Sequence, residues 1–200
     1  EQQGVLASQK GDSMGEDDGK KKKKFAFPKF YDFPPFFTIQ PVQLTREKQF
    51  RVWVEFIRDY QSHVGSTSID VSKASTEKGP PFRNPKISRG LSEDGIRTVL
   101  NEVVKAGYAV WADEKQLTCR TTTKKLDEWG NIILAWAKEN GQLNRISTLN
   151  ELRTENEGEE FQGMEPEMLH AVLKAMQDRG LAQLFPGENL DELGFKLLEN

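Results

Sequence analysis

One cysteine and two histidines are all the 200-residue sequence holds of those residues. Cys119 alone can form no internal disulfide, which suits a reducing compartment, and its place between Thr118 and Arg120 in an apparent strand reads as packing. His63 and His170 lie far apart with no cysteine partner, so neither a zinc site nor a bound cofactor is expected. No apolar run reaches the ~18–20 residues that span a bilayer, and residues 1–24 have no apolar centre of a secretory signal. Direct membrane insertion is not expected, and the cytosol or nucleus is the expected compartment. A glycine-rich phosphate loop, a nucleophile elbow and any Cys/His or Ser/His dyad spacing are also missing. The carboxylates gather in polar loops such as 155–160, where solvation leaves their chemistry ordinary, so the chain reads as non-enzymatic.

What is present suffices for real cores, since 36% of residues are apolar and the length accommodates one or two small domains. Residues 1–24 read as a disordered charged tail, in which Glu16-Asp17-Asp18 meets Lys20 to Lys24 with almost nothing to bury. The lysine run invites nucleic acid, nuclear import or anionic lipid, but the neighbouring acids nearly cancel it, and a solvated tail is the preferred reading. Because the chain opens at Glu1, this stretch reads as a fragment, a processing product or added sequence.

Residues 25–43 follow as an extended Pro/aromatic arm. Seven aromatics and three prolines fall within residues 25–37. Proline fixes φ, removes a donor and pushes its predecessor out of the α region, which predicts extended or polyproline-like backbone at Phe27, Phe33 and Pro34. Each ring carries on the order of 150–250 Å2 of surface, at ~25 cal/mol per Å2 if left in water. The rings therefore need a cover, either the body of this chain or a groove on another protein.

Helical periodicity then sets in with Phe50, Trp53, Val54, Ile57 and Tyr60, with Thr45 as the expected N-cap and Gly65 as the stop. A short strand is expected over 67–71, and residues 72–90 read as a polar surface loop with one helical turn near Pro85 to Ser88. A second helix runs from Ser92 to Gly107, followed by a hairpin built from Tyr108–Trp111 and Gln116–Arg120. The plan recurs: a helix over Leu126 to Trp136, a very short strand at Ile146, a Thr148/Glu151 capping box, a helix from Pro166 to Gly180, and a hairpin over 181–198. A shift of 73 lays Ile96 on Leu169, Val103 on Met176, Gly107 on Gly180 and Ala109 on Ala182. An internal duplication follows. Its order is helix, strand, helix, helix, hairpin, the winged-helix plan, which predicts an α+β, mostly α chain with winged-helix domain 1 at 44–122 and winged-helix domain 2 at 123–200.

A winged helix suggests DNA, but its third helix would then need cations for phosphates and long polar side chains for bases. The two candidates carry Glu93, Asp94 and Glu102, and Glu165, Glu167 and Asp178, and each is net acidic. Residues 123–200 hold eight Lys+Arg against fifteen Asp+Glu, a balance of −7. No specific nucleic acid is expected, and a protein-interaction scaffold is the better reading. A nucleic-acid or transcription-associated role remains the alternative. A third reading, the arm as a WW-domain ligand, is weaker because those domains prefer Tyr where Phe37 stands.

The run Phe33-Pro34-Pro35-Phe36-Phe37-Thr38-Ile39-Gln40-Pro41, with Thr45-Arg46-Glu47-Lys48-Gln49, Glu128-Trp129, Thr148-Leu149-Asn150-Glu151-Leu152 and Glu160-Phe161-Gln162-Gly163, resembles the vacuolar protein sorting-associated protein 25 family. The resemblance covers about residues 27–198. That family supplies the small subunit of ESCRT-II, the endosomal complex that sorts ubiquitinated membrane proteins along the multivesicular body pathway. It implies two tandem winged-helix domains, two copies per complex, and an arm whose Pro-Pro-x-aromatic element enters grooves on the two larger ESCRT-II subunits. By motif match Phe33, Pro34, Pro35, Phe36 and Phe37 carry that contact. Phe30 and Tyr31 stand where such arms have an earlier aromatic-proline element, here with one proline and not two. The resemblance further implies that the second domain engages the first-acting ESCRT-III subunit, with the protein cytoplasmic and recruited to the endosomal membrane.

Overall fold

The computed structural model describes residues 24–199, so the expectations for the tail up to Lys23 lie outside the described residues. The chain is a mixed helix and sheet fold in which two successive halves follow one plan. The first comprises α1 (Gln43–Val64), β1 (Ser68–Asp70), α2 (Val71–Thr76), a two-strand insertion β2 (Arg83–Asn84) and β3 (Arg89–Gly90), α3 (Glu93–Lys105), β4 (Ala109–Trp111) and β5 (Thr118–Thr121). The second comprises α4 (Leu126–Glu139), β6 (Ile146–Thr148), α5 (Leu149–Thr154), α6 (Pro166–Asp178), β7 (Ala182–Phe185) and β8 (Gly194–Leu197). Each half closes an antiparallel three-stranded sheet, in the order β1-β5-β4 and β6-β8-β7, so the last strand is central, between the first strand and its own hairpin partner.

The shift of 73 read from the sequence superposes α3 on α6 residue for residue. Both helices bury an apolar stripe, Ile96, Val99, Leu100 and Val103 in one and Leu169, Val172, Leu173 and Met176 in the other. Both halt before a left-handed glycine, Gly107 at φ 81° and Gly180 at φ 72°, a conformation that L side chains resist. Two separate hydrophobic clusters result, one around Trp53, Phe82 and Leu100, the other around Ile133, Phe161 and Leu173. Gly130 in α4 lets α6 approach: a Cβ there would stand 2.8 Å from the Met176 Cγ.

Several local expectations are corrected. α1 starts at Gln43 behind Val42, not at a Thr45 cap: Val42 O accepts the first helical bond, from the Arg46 amide at 2.9 Å, and no side chain caps the helix. Residues 72–90 are not a plain loop, since Asp70 caps α2 through the Lys73 amide and the insertion forms its own hairpin around the expected turn at Pro85. α1 buries Gln49, Trp53, Phe56, Ile57 and Gln61, leaving Phe50, Val54 and Tyr60 half-buried on its flanks.

The halves meet through polar groups. Arg120 on β5 reaches Glu165, just before α6, at 3.4 Å and Glu167, in the first turn of α6, at 3.5 Å, and the Trp129 indole N–H donates to Thr122 Oγ1 at 2.7 Å. A cavity of about 360 Å3 lies at this junction, with Gln61, Arg120, Thr121, Trp129 and Met164 in its wall.

Candidate interaction surface

The arm lies on its own half rather than standing free. Phe33 (φ −96°, ψ 111°) is extended as expected, and Pro28 (φ −69°, ψ 156°) is extended as well. Pro34 is not: residues Pro34–Phe37 form a 3-10 turn, as do Lys29–Asp32. A fixed φ suits a first helical turn, where the missing proline N–H is needed by nobody. The turn is closed by Phe36 N–H to Phe33 O (2.9 Å) and Thr38 N–H to Pro35 O (3.2 Å).

This geometry splits the rings into two sets. Tyr31, Phe36 and Phe37 point inward and are at most 5% exposed. Phe36 stacks on Trp53 with centroids 4.1 Å apart and planes 13° apart, and Phe37 meets both edge-on. Phe33 points outward and is 59% exposed, with Pro34 and Pro35 exposed beside it and Phe30 half-buried. Together they make an apolar ridge along a groove of about 510 Å3 walled by Phe30, Phe33, Pro35, Phe36 and Val52. The structure thus brings the seven expected residues into two consecutive 3-10 turns but directs them to opposite sides.

Polar groups that sequence reading passed over hold the ridge. Gln49 Nε2 donates to Pro35 O (3.3 Å), Phe36 O (3.0 Å) and Thr38 O (2.9 Å), while its Oε1 accepts from the Gln40 amide (3.1 Å). Trp53 Nε1 donates to Phe36 O at 3.2 Å. On the other flank the Tyr31 hydroxyl donates to Arg83 O (2.6 Å), and Asn84 Nδ2 donates to Tyr31 O (2.7 Å) and Asp32 Oδ1 (3.0 Å). Burial, aided by Tyr60 and Asp32, pushes the Tyr31 phenol up, so it stays a neutral donor. Hydrogen bonds from Lys86 and then Asn84 hold the Asp32 carboxyl below its ordinary range. The one available signal was Gln49, a polar residue one helical turn before the core Trp53.

Among the described residues no group of three or more His, Cys, Asp and Glu gathers as a metal cage, and no helix is long and apolar enough to cross a membrane. Cys119 is fully buried, and burial pushes its thiol up to about 12. The cations of α3 are already engaged: Arg97 pairs with Glu93 and Asp94, and Lys105 with Glu102.

Comparison with known proteins agrees with this picture. A family model described as ESCRT-II complex subunit matches residues 30–165. Vacuolar protein sorting-associated protein 25 of Arabidopsis thaliana is 36% identical over 174 residues, covering 86% of this chain and 95% of the plant protein. Its Danio rerio counterpart is 38% identical over 162 residues, covering 80% and 92%. Among solved structures, subunit VPS25 of the endosomal trafficking complex ESCRT-II aligns with a TM-score of 0.63 at 30% identity, covering 86% of this chain and 99% of that one. A chain of the endosomal complex ESCRT-II (VPS22/VPS25/VPS36) aligns with a TM-score of 0.60 at 29% identity, covering 83% and 96%. With the repeated plan and the ridge in view, these matches place the chain in the ESCRT-II subunit family of the vacuolar protein sorting-associated protein 25 type.

Proposed function

We propose that this chain is a non-catalytic adaptor subunit of ESCRT-II in endosomal sorting, built as two tandem winged-helix units, 44–122 and 123–200, behind the arm. Phe33, Pro34 and Pro35, flanked by Phe30, form the face that seats in grooves on the two larger ESCRT-II subunits. Tyr31, Phe36 and Phe37 serve that contact from beneath, as the prop on which the ridge stands. Two copies join each complex, and the acidic second unit offers a surface to the first-acting ESCRT-III subunit, which brings the cytoplasmic complex into action at the endosomal membrane.

The observation that carries this reading is the exposed Phe33-Pro34-Pro35 ridge. Large rings are seldom left in water on a monomer unless a partner covers them. Nucleic-acid binding is disfavoured, because the α3 cations are spent on neighbouring acids and residues 123–200 carry a balance of −7.

The test is an affinity capture from eukaryotic lysate read by mass spectrometry, with the full chain against Phe33→Ala combined with Pro35→Ala. The two larger ESCRT-II subunits are expected with the former and lost with the latter, while both proteins stay folded. Their retention by the double variant would sink the assignment of the ridge. Deleting the whole arm is a poorer test, since it also strips Phe36 and Phe37 from the core.

A further inference from the structure

The duplicated plan supplies an internal control for the β2–β3 insertion. Between α2 and α3 the first half interposes this hairpin, whereas between α5 and α6 the second half has only a loop over 155–165. The plan closes without it, so the insertion answers to something the second half lacks, and what the second half lacks is the arm.

Its contacts say the same. Asn84, 3% exposed, ties the arm to the insertion: Nδ2 donates to Tyr31 O and Asp32 Oδ1, while Oδ1 caps the insertion's own turn by accepting from the Lys86 amide at 3.0 Å. Lys86 Nζ donates to Asp32 Oδ2 at 2.5 Å, and Tyr31 donates to Arg83 O. Asp32 and Phe33 are adjacent, so whatever fixes the former sets the departure angle of the latter. Opposite, Gln49 and Trp53 gather the carbonyls of the following turn. A segment with no ladder of its own is thereby gripped on both sides of its exposed residues.

We infer that the β2–β3 insertion is a clasp that holds the Phe33-Pro34-Pro35 ridge in its binding conformation before any partner arrives, with Asn84 as the chief positioning residue. The inference rests on the reading of the ridge as the partner-binding face. A pre-ordered ridge spares the rotational and backbone freedom that a loose arm would forfeit on docking, and a partner pays in apparent affinity for the fraction of time the ridge is unformed.

The experiment uses the full chain and a purified pair of the two larger ESCRT-II subunits. Hydrogen exchange of the free chain is read together with a calorimetric titration, for Asn84→Ala, Phe33→Ala and the unaltered protein. Asn84→Ala is expected to speed exchange of the Phe33, Phe36 and Thr38 amides while α3 stays protected. It should weaken binding about five- to tenfold, with the loss in the entropy term. Phe33→Ala should weaken binding without changing exchange. Faster arm exchange with unchanged affinity overturns the clasp, as does unchanged exchange. If Phe33→Ala binds like the unaltered protein, the ridge reading itself fails, which is a separate outcome. Should Asn84→Ala also expose α3, Tyr31→Phe, which removes only the donor to Arg83 O, decides the matter by the same two readouts.

Discussion

Alanine at Phe36 and alanine at Phe33 should have opposite consequences, although the two rings are three residues apart in one turn. Phe36 is 5% exposed and face-to-face with Trp53 at 4.1 Å, so its removal leaves a hole bounded by Trp53, Phe37 and Phe56. Core Phe→Ala changes cost about 3–5 kcal/mol. A ceiling applies here, because the arm can peel away from the edge of its half, and the loss cannot exceed the free energy that docks it. Taking about 3 kcal/mol, and about 4–8 °C per kcal/mol for a unit of this size, the melting point of the first half should fall by roughly 12–24 °C. Phe33→Ala, by contrast, changes a ring already 59% exposed and should stay within about 0.5 kcal/mol, while costing about 2 kcal/mol or more in partner binding. Scanning calorimetry and a partner titration on both variants decide it. A Phe36→Ala protein that melts like the parent would refute the division of the rings into prop and ridge.

Three further outcomes follow. Arg120→Glu should broaden the small-angle scattering profile by setting like charges between the halves, and adding Glu165→Lys with Glu167→Lys should restore it; an unchanged profile in Arg120→Glu counts against an ionic junction. His170 has its imidazole held below its ordinary value by burial and then by Lys174, so the unfolded chain takes up the proton first. The second half should therefore keep its full stability above the ordinary imidazole range and lose part of it as pH falls through about 6.5, and His170→Gln should flatten that slope in urea titrations at pH 7.5 and 5.5. Cys119, fully buried with its thiol raised to about 12, should react with a maleimide only through opening of the first half, and rapid labelling of the native chain would contradict that burial.

Much of the fold was legible because it rests on local signals. Ser92 caps α3, the Thr148/Glu151 box opens α5, Pro166 takes the first position of α6, and all lie where the sequence indicates. The shift of 73 was equally readable, since helix α6 and its stop glycine repeat α3 and Gly107. The insertion was not. Its strands are two residues each, too short for any alternation, and Asn84 acquires meaning only from Tyr31 O, fifty-three positions earlier in the chain. The arm was legible as a cluster of rings needing cover but not as two faces, because which ring turns inward depends on a 3-10 turn whose carbonyls are gathered by Gln49 from another element.

The difference between the halves is where function has to be sought, since their common scaffold cannot distinguish them. Both have a three-stranded sheet, a buried third helix and a glycine stop, and the cations of α3 are paired with acids on the same helix. Only the first carries the arm and the hairpin that grips it, and only the second carries the −7 balance. On the proposed reading the hydrophobic contact lies on one half and the acidic surface on the other, so the two do not compete for a single face. The junction between them combines ion pairs with a cavity walled by Trp129, Met164 and Met168, and the two hydrophobic clusters stay separate. The Arg120 Nε and the Glu167 Oε2 are shielded from solvent, so removing one partner alone leaves a buried charge unpaired and should loosen the junction without disturbing either core.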